Sequence, residues 1–325
     1  MSSTTAFRQG IYKFELARRM ALWLDALPYT ALAVEVGPDR VAAARWSRAG
    51  GLDGYAVESL PAGALVPSAV ETNIVNSAAV KAAVAGVCER LRAGDEDVAM
   101  ILPDTVIRVF VQHFEEFPRS AAEAEPMLRW KLKKSVPFEA DETVLSYMRQ
   151  APRESGIDVV TALARLRIIR EYESLVEGLG LYPGVVLSSS LSAISLLESE
   201  KPTLLARISG PTLTTAIVRR GVLCGYRCTE LPAQGAKLTP QMLFEEIFPV
   251  AAYYQDIWHE TIGSVRVSGL GSRLPEFIRP LEEEFHCDVR SLLSSAVSDG
   301  RLNDDARPLA DRDLEGLIGW MLQRS

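Results

Sequence analysis

The sequence predicts an α/β protein of two similar domains, each built around a β-hairpin. Residues 32–46 alternate apolar and other side chains with a period of two, and a Gly-Pro-Asp turn interrupts them. Residues 204–220 repeat this pattern more weakly around a Gly-Pro turn. The 325 residues suit about two domains, so we expect two hairpin-containing domains that face a cleft.

Composition and charge limit the functional classes. Apolar residues make up 48% of the chain and charged residues 24%, which is enough for a large core. The net charge of −7 argues against nucleic acid as a partner. No apolar run approaches the roughly 18 residues of a membrane span, and the N-terminus lacks a signal-peptide layout. We therefore expect a cytoplasmic protein whose four cysteines are free.

An amphipathic helix is predicted over residues 11–27, inside an N-terminal segment of residues 1–29. Its apolar side chains recur at spacings of three and four. Four basic residues stand against two acidic ones within residues 8–27. Two interpretations stay open: the helix contacts an anionic membrane surface or a partner, or it packs on its own domain.

The first domain is predicted over residues 30–102 and 181–202. A third strand at 54–60, a helix at 73–92 and a strand at 98–102 follow the hairpin. This β-β-β-α-β order is typical of an α/β domain.

Residues 103–180 predict a small α+β module inserted in the first domain. Ser120 and Glu123 form a capping box, and Pro126 either bends the helix or marks its first turn. The helix is expected over 127–138, with Pro137 as its stop. The remaining strands and helix are predicted at 106–112, 144–150, 158–165 and 169–179.

Residues 203–325 predict the second domain. Its strands and helices are expected at 204–209, 213–219, 222–229, 240–262, 265–268 and 274–285. The preceding stretch, 191–198, is predicted as a helix of the first domain. A terminal helix, 313–322, carries Gly316 and Gly319 on one side, where another backbone can approach closely. This helix belongs either to the second domain or to a return onto the first.

Four stretches of the chain carry a family resemblance. They read VEVGPDRVAAARW, EPMLRWKLKKSVPFEADETVLSY, GLGLYPGVVLSSSLSAISLL and VSGLGSRLPEFIRPLEEEFHCDV. Together they resemble PilM, the bacterial actin-like family of type IV pilus assembly. The second stretch is the most specific, because ordinary actin-like kinases and chaperones lack that insert. The resemblance implies an actin-like, ribonuclease H-like fold with an FtsA/PilM-type inserted subdomain.

The resemblance also implies a scaffold function in pilus assembly and twitching motility. A PilM-like protein lies under the inner membrane, binds the cytoplasmic tail of PilN and links it to the pilus motor and platform. A homo-oligomer or ring, and peripheral membrane contact, stay open. Two alternatives are an active actin-superfamily ATPase or phosphotransferase, and the cytoplasmic part of a GspL-like type II secretion protein.

Family members can hold ATP with Mg²⁺ between the two hairpins. The matching positions here are Glu35, Gly37, Asp39, Arg40, Gly269, Gly271 and Ser272. Pro38 removes a backbone donor, and Ala42 replaces the family's lysine. Depending on the alignment, Arg207 or Ile208 stands where the second hairpin should carry an acid. We therefore expect a pseudo-ATPase without catalytic or metal-binding residues, which binds ATP weakly at most.

A groove between the inserted module and the first domain is predicted to take the partner's tail. Its basic side chains would be Arg129, Lys131, Lys133 and Lys134. They can attract acidic residues of an extended peptide. Trp130 and Phe138 either form the module's core or stay available to a partner.

Overall fold

The structure, a computed structural model, describes residues 30–47, 51–139, 142–153, 155–197, 200–298, 306–310 and 312–322. The chain forms two units, the first ending at Leu187 and the second beginning at Ser188. The predicted helix 11–27 lies outside the described residues. No helix among the described residues is long and apolar enough to cross a membrane.

The strands and α-helices of the described residues are numbered in chain order. The strands are β1 (Leu32–Val36), β2 (Arg40–Trp46), β3 (Leu52–Ser59), β4 (Asp97–Leu102), β5 (Arg108–Phe114), β6 (Thr143–Arg153), β7 (Gly156–Arg165), β8 (Tyr182–Ser188), β9 (Thr203–Ser209), β10 (Thr212–Arg219), β11 (Val222–Glu230), β12 (Ser264–Ser268) and β13 (Asp288–Ser291). The helices are α1 (Ser77–Arg90), α2 (Ala121–Leu132), α3 (Leu166–Glu177), α4 (Ser189–Ala193), α5 (Pro240–Trp258), α6 (Leu274–Phe285), α7 (Leu292–Ser298), α8 (Arg307–Ala310) and α9 (Glu315–Leu322).

The two units contain five-stranded sheets of the same order. In the first unit the order is β3-β2-β1-β4-β8, and in the second it is β11-β10-β9-β12-β13. In each sheet the first three strands of the chain pair antiparallel, and the fourth pairs parallel to the first. The predicted β-β-β-α-β order of the first domain is confirmed, and both hairpins are present.

The inserted module forms a third sheet, of order β5-β7-β6. Helix α2 buries one face against this sheet, and Leu128 and Leu132 of the helix share a core with Val159 and Leu163 of β7. The strands are rich in β-branched and aromatic side chains, which favour a half-buried sheet surface.

The predicted bounds of several helices were wrong. Helix α2 begins at Ala121, where the Ser120 Oγ accepts the Glu123 N–H at 3.3 Å, and it ends at Leu132, well before Pro137. Helix α5 ends at Trp258 because His259 has a left-handed backbone conformation, with φ 53°. Its N–H donates to the Gln255 carbonyl. The predicted helix 191–198 is the short α4 followed by a 3₁₀ turn.

The terminal helix α9 packs backbone to backbone on α4. A Cβ added at Gly319 would lie 2.1 Å from the Ser192 carbonyl oxygen. The Ser192 hydroxyl donates to the Gly316 carbonyl at 2.7 Å. The small residues therefore permit the close approach that the sequence predicted.

Candidate functional site

The first hairpin has a tight two-residue turn with few free backbone donors. The Gly37 N–H donates to the Arg40 carbonyl at 2.8 Å, so Pro38 and Asp39 form the turn itself. Pro38 has no N–H, and the Gly37 N–H is already used. Neither the Pro38 nitrogen nor the Gly37 N–H can therefore donate a hydrogen bond to a phosphate group. Glu35 lies on β1 opposite the buried Ala42, whose small side chain provides no cation.

The second hairpin closes with a turn of another type. Ser209 pairs with Thr212, which leaves Gly210 and Pro211 as the turn residues. Gly210 has φ 56°, and proline fixes φ near −65° at the next position. A positive φ followed by a negative φ is a type II′ turn, which matches the twist of a hairpin.

The two ladders decide which residue of the second hairpin corresponds to Glu35. Gly37 precedes the two-residue turn of the first hairpin, and Ser209 precedes that of the second. Counting back two residues from each gives Glu35 and Arg207. Of the two alignments left open by the sequence, the structure selects Arg207, so a cation stands at the position of the acid.

Arg207 is held inside the second unit by buried polar groups. Its side chain is 8% exposed, and its Nη2 lies 3.6 Å from the Oε2 of Glu315, which is 3% exposed. Its Nη1 donates to the Ser190 Oγ at 3.5 Å. Sequence reasoning missed Glu315 and Ser190, because both are distant in the chain and neither belongs to a motif.

The predicted glycine motif adjoins the second hairpin within the same unit. Gly269 has φ 82°, and a Cβ there would lie 1.8 Å from the Ile208 carbonyl oxygen. Packing of β12 against β9 therefore requires this glycine whether or not a nucleotide binds. Gly271, at φ 52°, and Ser272 are exposed. Glu35, Gly37, Asp39 and Arg40 lie together on the first hairpin, in the other unit.

The four predicted basic residues divide into two pairs. Arg129 donates to the Thr143 Oγ1 at 2.7 Å and to its carbonyl at 3.2 Å. Lys131 donates to the His113 carbonyl at 3.3 Å and lies over the Phe114 ring. These two side chains fasten α2 to its sheet, whereas Lys133 and Lys134 are exposed just beyond the helix.

Trp130 does not belong to the core of the module. It is 79% exposed, whereas the buried side of α2 consists of Ala124, Leu128 and Leu132. Phe138 is half-buried. The interpretation of Trp130 as a core residue was therefore wrong, and an exposed indole beside two lysines can take part in recognition.

One loop of the first domain, residues 60–76, forms hydrogen bonds with the module at their junction. The Arg165 Nη1 donates to the Val70 carbonyl at 3.0 Å, and the Glu171 Oε2 accepts the Asn73 N–H at 2.8 Å. The Tyr172 hydroxyl donates to the Asn73 Oδ1 at 2.9 Å. Burial raises the pKa of Tyr172, and nearby Glu171 raises it further, so the phenol keeps the proton that it donates.

Exposed apolar side chains line this junction. Val66 and Val75, on the loop, are 51% and 66% exposed. Leu166, the first residue of α3, also has a partly exposed side chain. Thr143, which holds Arg129, pairs in the ladder with Arg165, which holds the loop. Helix α2 and the loop therefore border the same stretch of sheet. The sequence predicted a groove at this junction but did not identify these apolar residues, since valines in a Pro/Gly-rich loop form no periodic pattern.

Comparison with solved structures places this geometry in a known fold. A chain of the PilM-PilN type IV pilus biogenesis complex matches over 91% of this chain and 98% of its own, with a TM-score of 0.68 and 18% identity. The chain has an actin-like fold. The predicted fold class, with its inserted subdomain, is thereby confirmed.

More distant matches have lower scores. An actin-like ATPase-fold protein of unknown function from Bacteroides thetaiotaomicron has a TM-score of 0.47 at 11% identity, covering 86% of this chain and 94% of that one. The cytoplasmic domain of EpsL, from the type II secretion system of Vibrio cholerae, has a TM-score of 0.46 at 11% identity, covering 84% and 96%. No protein-family model and no curated protein matches the sequence.

Proposed function

We propose that this chain is a PilM-like scaffold of type IV pilus assembly, which binds the cytoplasmic tail of a PilN-like inner-membrane protein and does not hydrolyse ATP. The observation that carries the proposal is the fold shared with a chain of the PilM-PilN complex over nearly the whole length of both chains. The groove beside the inserted module supplies a place for the tail. The scaffold would lie under the inner membrane and connect its partner to the pilus motor.

Hydrogen bonds hold the frame of the proposed groove. Three side chains of the module, Arg165, Glu171 and Tyr172, hold the loop of the first domain through hydrogen bonds. A frame that is ordered before binding loses little conformational entropy when a peptide enters. Such a frame suits a short tail, which makes few contacts.

The exposed side chains fit an apolar and acidic tail. Val66, Val75 and Leu166 can each cover an apolar anchor, which stabilises binding by roughly 1.5–3 kcal/mol for a fully buried side chain. Lys133 and Lys134, at the end of α2, can attract acidic residues and fix the direction of the peptide. Arg129 and Lys131 contribute by holding α2 in place rather than by direct contact.

Hydrogen exchange of the full chain, with and without the cytoplasmic peptide of the neighbouring PilN-like protein, tests the site. We expect protection in residues 60–76 and in the module. Val66→Asp combined with Val75→Asp should weaken binding at least about tenfold, because a charge then replaces an apolar contact. Val297→Asp, an equally exposed valine of the second unit, is the matched control and should bind normally. Protection confined to residues 203–315 would refute the proposed groove.

A further inference from the structure

A buried polar cluster lies on one face of the second sheet. It comprises Arg207 on β9, Ser268 on β12, Ser190 on α4 and Glu315 on α9, all of them buried. Arg207 pairs in the ladder with Ser268, so both side chains leave the sheet on the same face. The neighbouring Ala206 and Val267 belong to the apolar core on the opposite face.

The cluster contains oxygen atoms that accept no hydrogen bond from the described residues. These are the Glu315 Oε1 and the Ser268 Oγ, both fully shielded from solvent. The Glu315 Oε2 lies 3.6 Å from the Arg207 Nη2, which is an ion-pair distance beyond that of a direct hydrogen bond. Glu315 therefore acts on Arg207 through its charge rather than through a fitted hydrogen-bond geometry.

Helix α9 holds this carboxylate in place. Glu315 is the first residue of the helix, and Gly319 lets the helix pack against the backbone of α4. The Ser192 hydroxyl binds the Gly316 carbonyl next to Glu315. A buried guanidinium requires a nearby anion, and the packing of α9 places the Glu315 carboxylate near Arg207.

We propose that Glu315 is a built-in counter-anion of Arg207, which closes an oxyanion site at the second hairpin. When Glu315 is present, its carboxylate neutralises the positive charge of Arg207 on the second hairpin. Without the carboxylate, Arg207, Ser190 and Ser268 would bind a free oxyanion such as inorganic phosphate. The inference extends the proposed loss of ATP turnover, because it states what occupies the second hairpin instead of a nucleotide.

Thermal unfolding of the full chain tests the inference, with inorganic phosphate compared with chloride at equal ionic strength. In Glu315→Ala, about 50 mM phosphate should raise the Tm by about 2–4 °C more than in the unsubstituted chain, as for an anion bound with a Kd near 5 mM. The double variant Arg207→Met/Glu315→Ala should lose this response. Equal responses of the single variant and the unsubstituted chain would overturn the inference, as would a response that persists in the double variant.

Glu315→Gln provides a second route if Glu315→Ala does not fold. Glutamine keeps the side-chain volume and removes the charge, so the phosphate response should keep its sign. The absence of a response in a folded Glu315→Gln chain would also overturn the inference. The peptide experiment is independent, since a chain that fails to bind the peptide can still show the phosphate response.

Discussion

Glu35 and Arg207 occupy equivalent positions in the two hairpins and carry opposite charges. Mg²⁺ binds through anionic and neutral oxygens, and phosphoryl transfer depends on the metal to neutralise the transferred group. A buried arginine at one of the two positions repels the cation. An acid in one hairpin and a base at the equivalent position of the other is the basis of the proposal that the chain does not hydrolyse ATP.

We expect phosphate release from ATP·Mg²⁺ to equal that of buffer, with a Kd weaker than about 100 µM, or roughly −5.5 kcal/mol. Isothermal titration and a phosphate-release assay measure the two quantities. Glu35→Ala should leave both values unchanged. Phosphate release that disappears in Glu35→Ala would show that the first hairpin is catalytically competent and that the pseudo-ATPase proposal is wrong.

Gly319→Ala should destabilise the second unit, although alanine is the better helix former. Helix propensity favours alanine by about 1 kcal/mol. The added methyl group, however, would lie 2.1 Å from the Ser192 carbonyl, and the helices must separate to accommodate it. We expect a net loss of about 1–3 kcal/mol in the free energy of unfolding.

Urea unfolding measures that loss. Gly94→Ala is the control, because no atom lies within 4 Å of a Cβ built at Gly94 and its φ is not positive. A Gly319→Ala chain as stable as its Gly94→Ala counterpart would mean that α9 and α4 can move apart freely.

At the scale of elements, α3 contains a carboxylate whose ionisation opposes folding. Burial raises the pKa of Glu173, and Glu177 one turn later raises it further, while Arg170 lowers it. The folded state therefore holds the Glu173 proton more tightly than the unfolded state. The resulting stability is present at acid pH and is lost as the pH rises through the unfolded and then the folded pKa.

Glu173→Gln should therefore be more stable than the unsubstituted chain at pH 7, and the difference should shrink as the pH falls below 4.5, the ordinary glutamate value. Urea unfolding at the two pH values measures this. Glu89→Gln, at an exposed position of α1, serves as the reference for the loss of a surface carboxylate. A difference that grows toward acid pH would contradict the assigned direction.

Most strands and helices could be predicted from the sequence, but some of their bounds and the exposure of some side chains could not. The capping box at Ser120 located the start of α2, yet Pro126 drew the prediction away from it. Pro126 lies inside α2, where a proline removes one backbone hydrogen bond, and the helix continues through it. Trp130 follows Leu128 by two residues, which places it on the opposite side of the helix.

The equivalent residues of the two hairpins could be identified only from the pairing of the strands in the structure. Both hairpins contain Gly-Pro, but Gly37 precedes its turn, whereas Gly210 occupies the first turn position. Aligning the dipeptides therefore shifts the strands by one residue and reverses every side chain. No pattern in the sequence gives the register, because both glycines look alike until their φ values are known. The ion pair with Glu315 depends on packing between distant elements.

At the scale of the whole molecule, the two sheets share one strand order but differ in the connection from the fourth strand to the fifth. In the second sheet this connection contains a 3₁₀ turn and α6, between Ser268 and Asp288. In the first sheet it contains the entire module, between Leu102 and Tyr182. The module therefore replaces a short crossover without disturbing the order of the strands.

This difference sets the order in which the sheets can assemble during synthesis. Strands β1 to β4 all precede the module in the chain, so they can pair as soon as they leave the ribosome. Strand β8 must wait until every residue of the module has been translated, and closing that long loop is slow compared with local pairing. The nascent first sheet therefore exposes the edge of β4 throughout that interval, when a chaperone or another nascent strand can reach it.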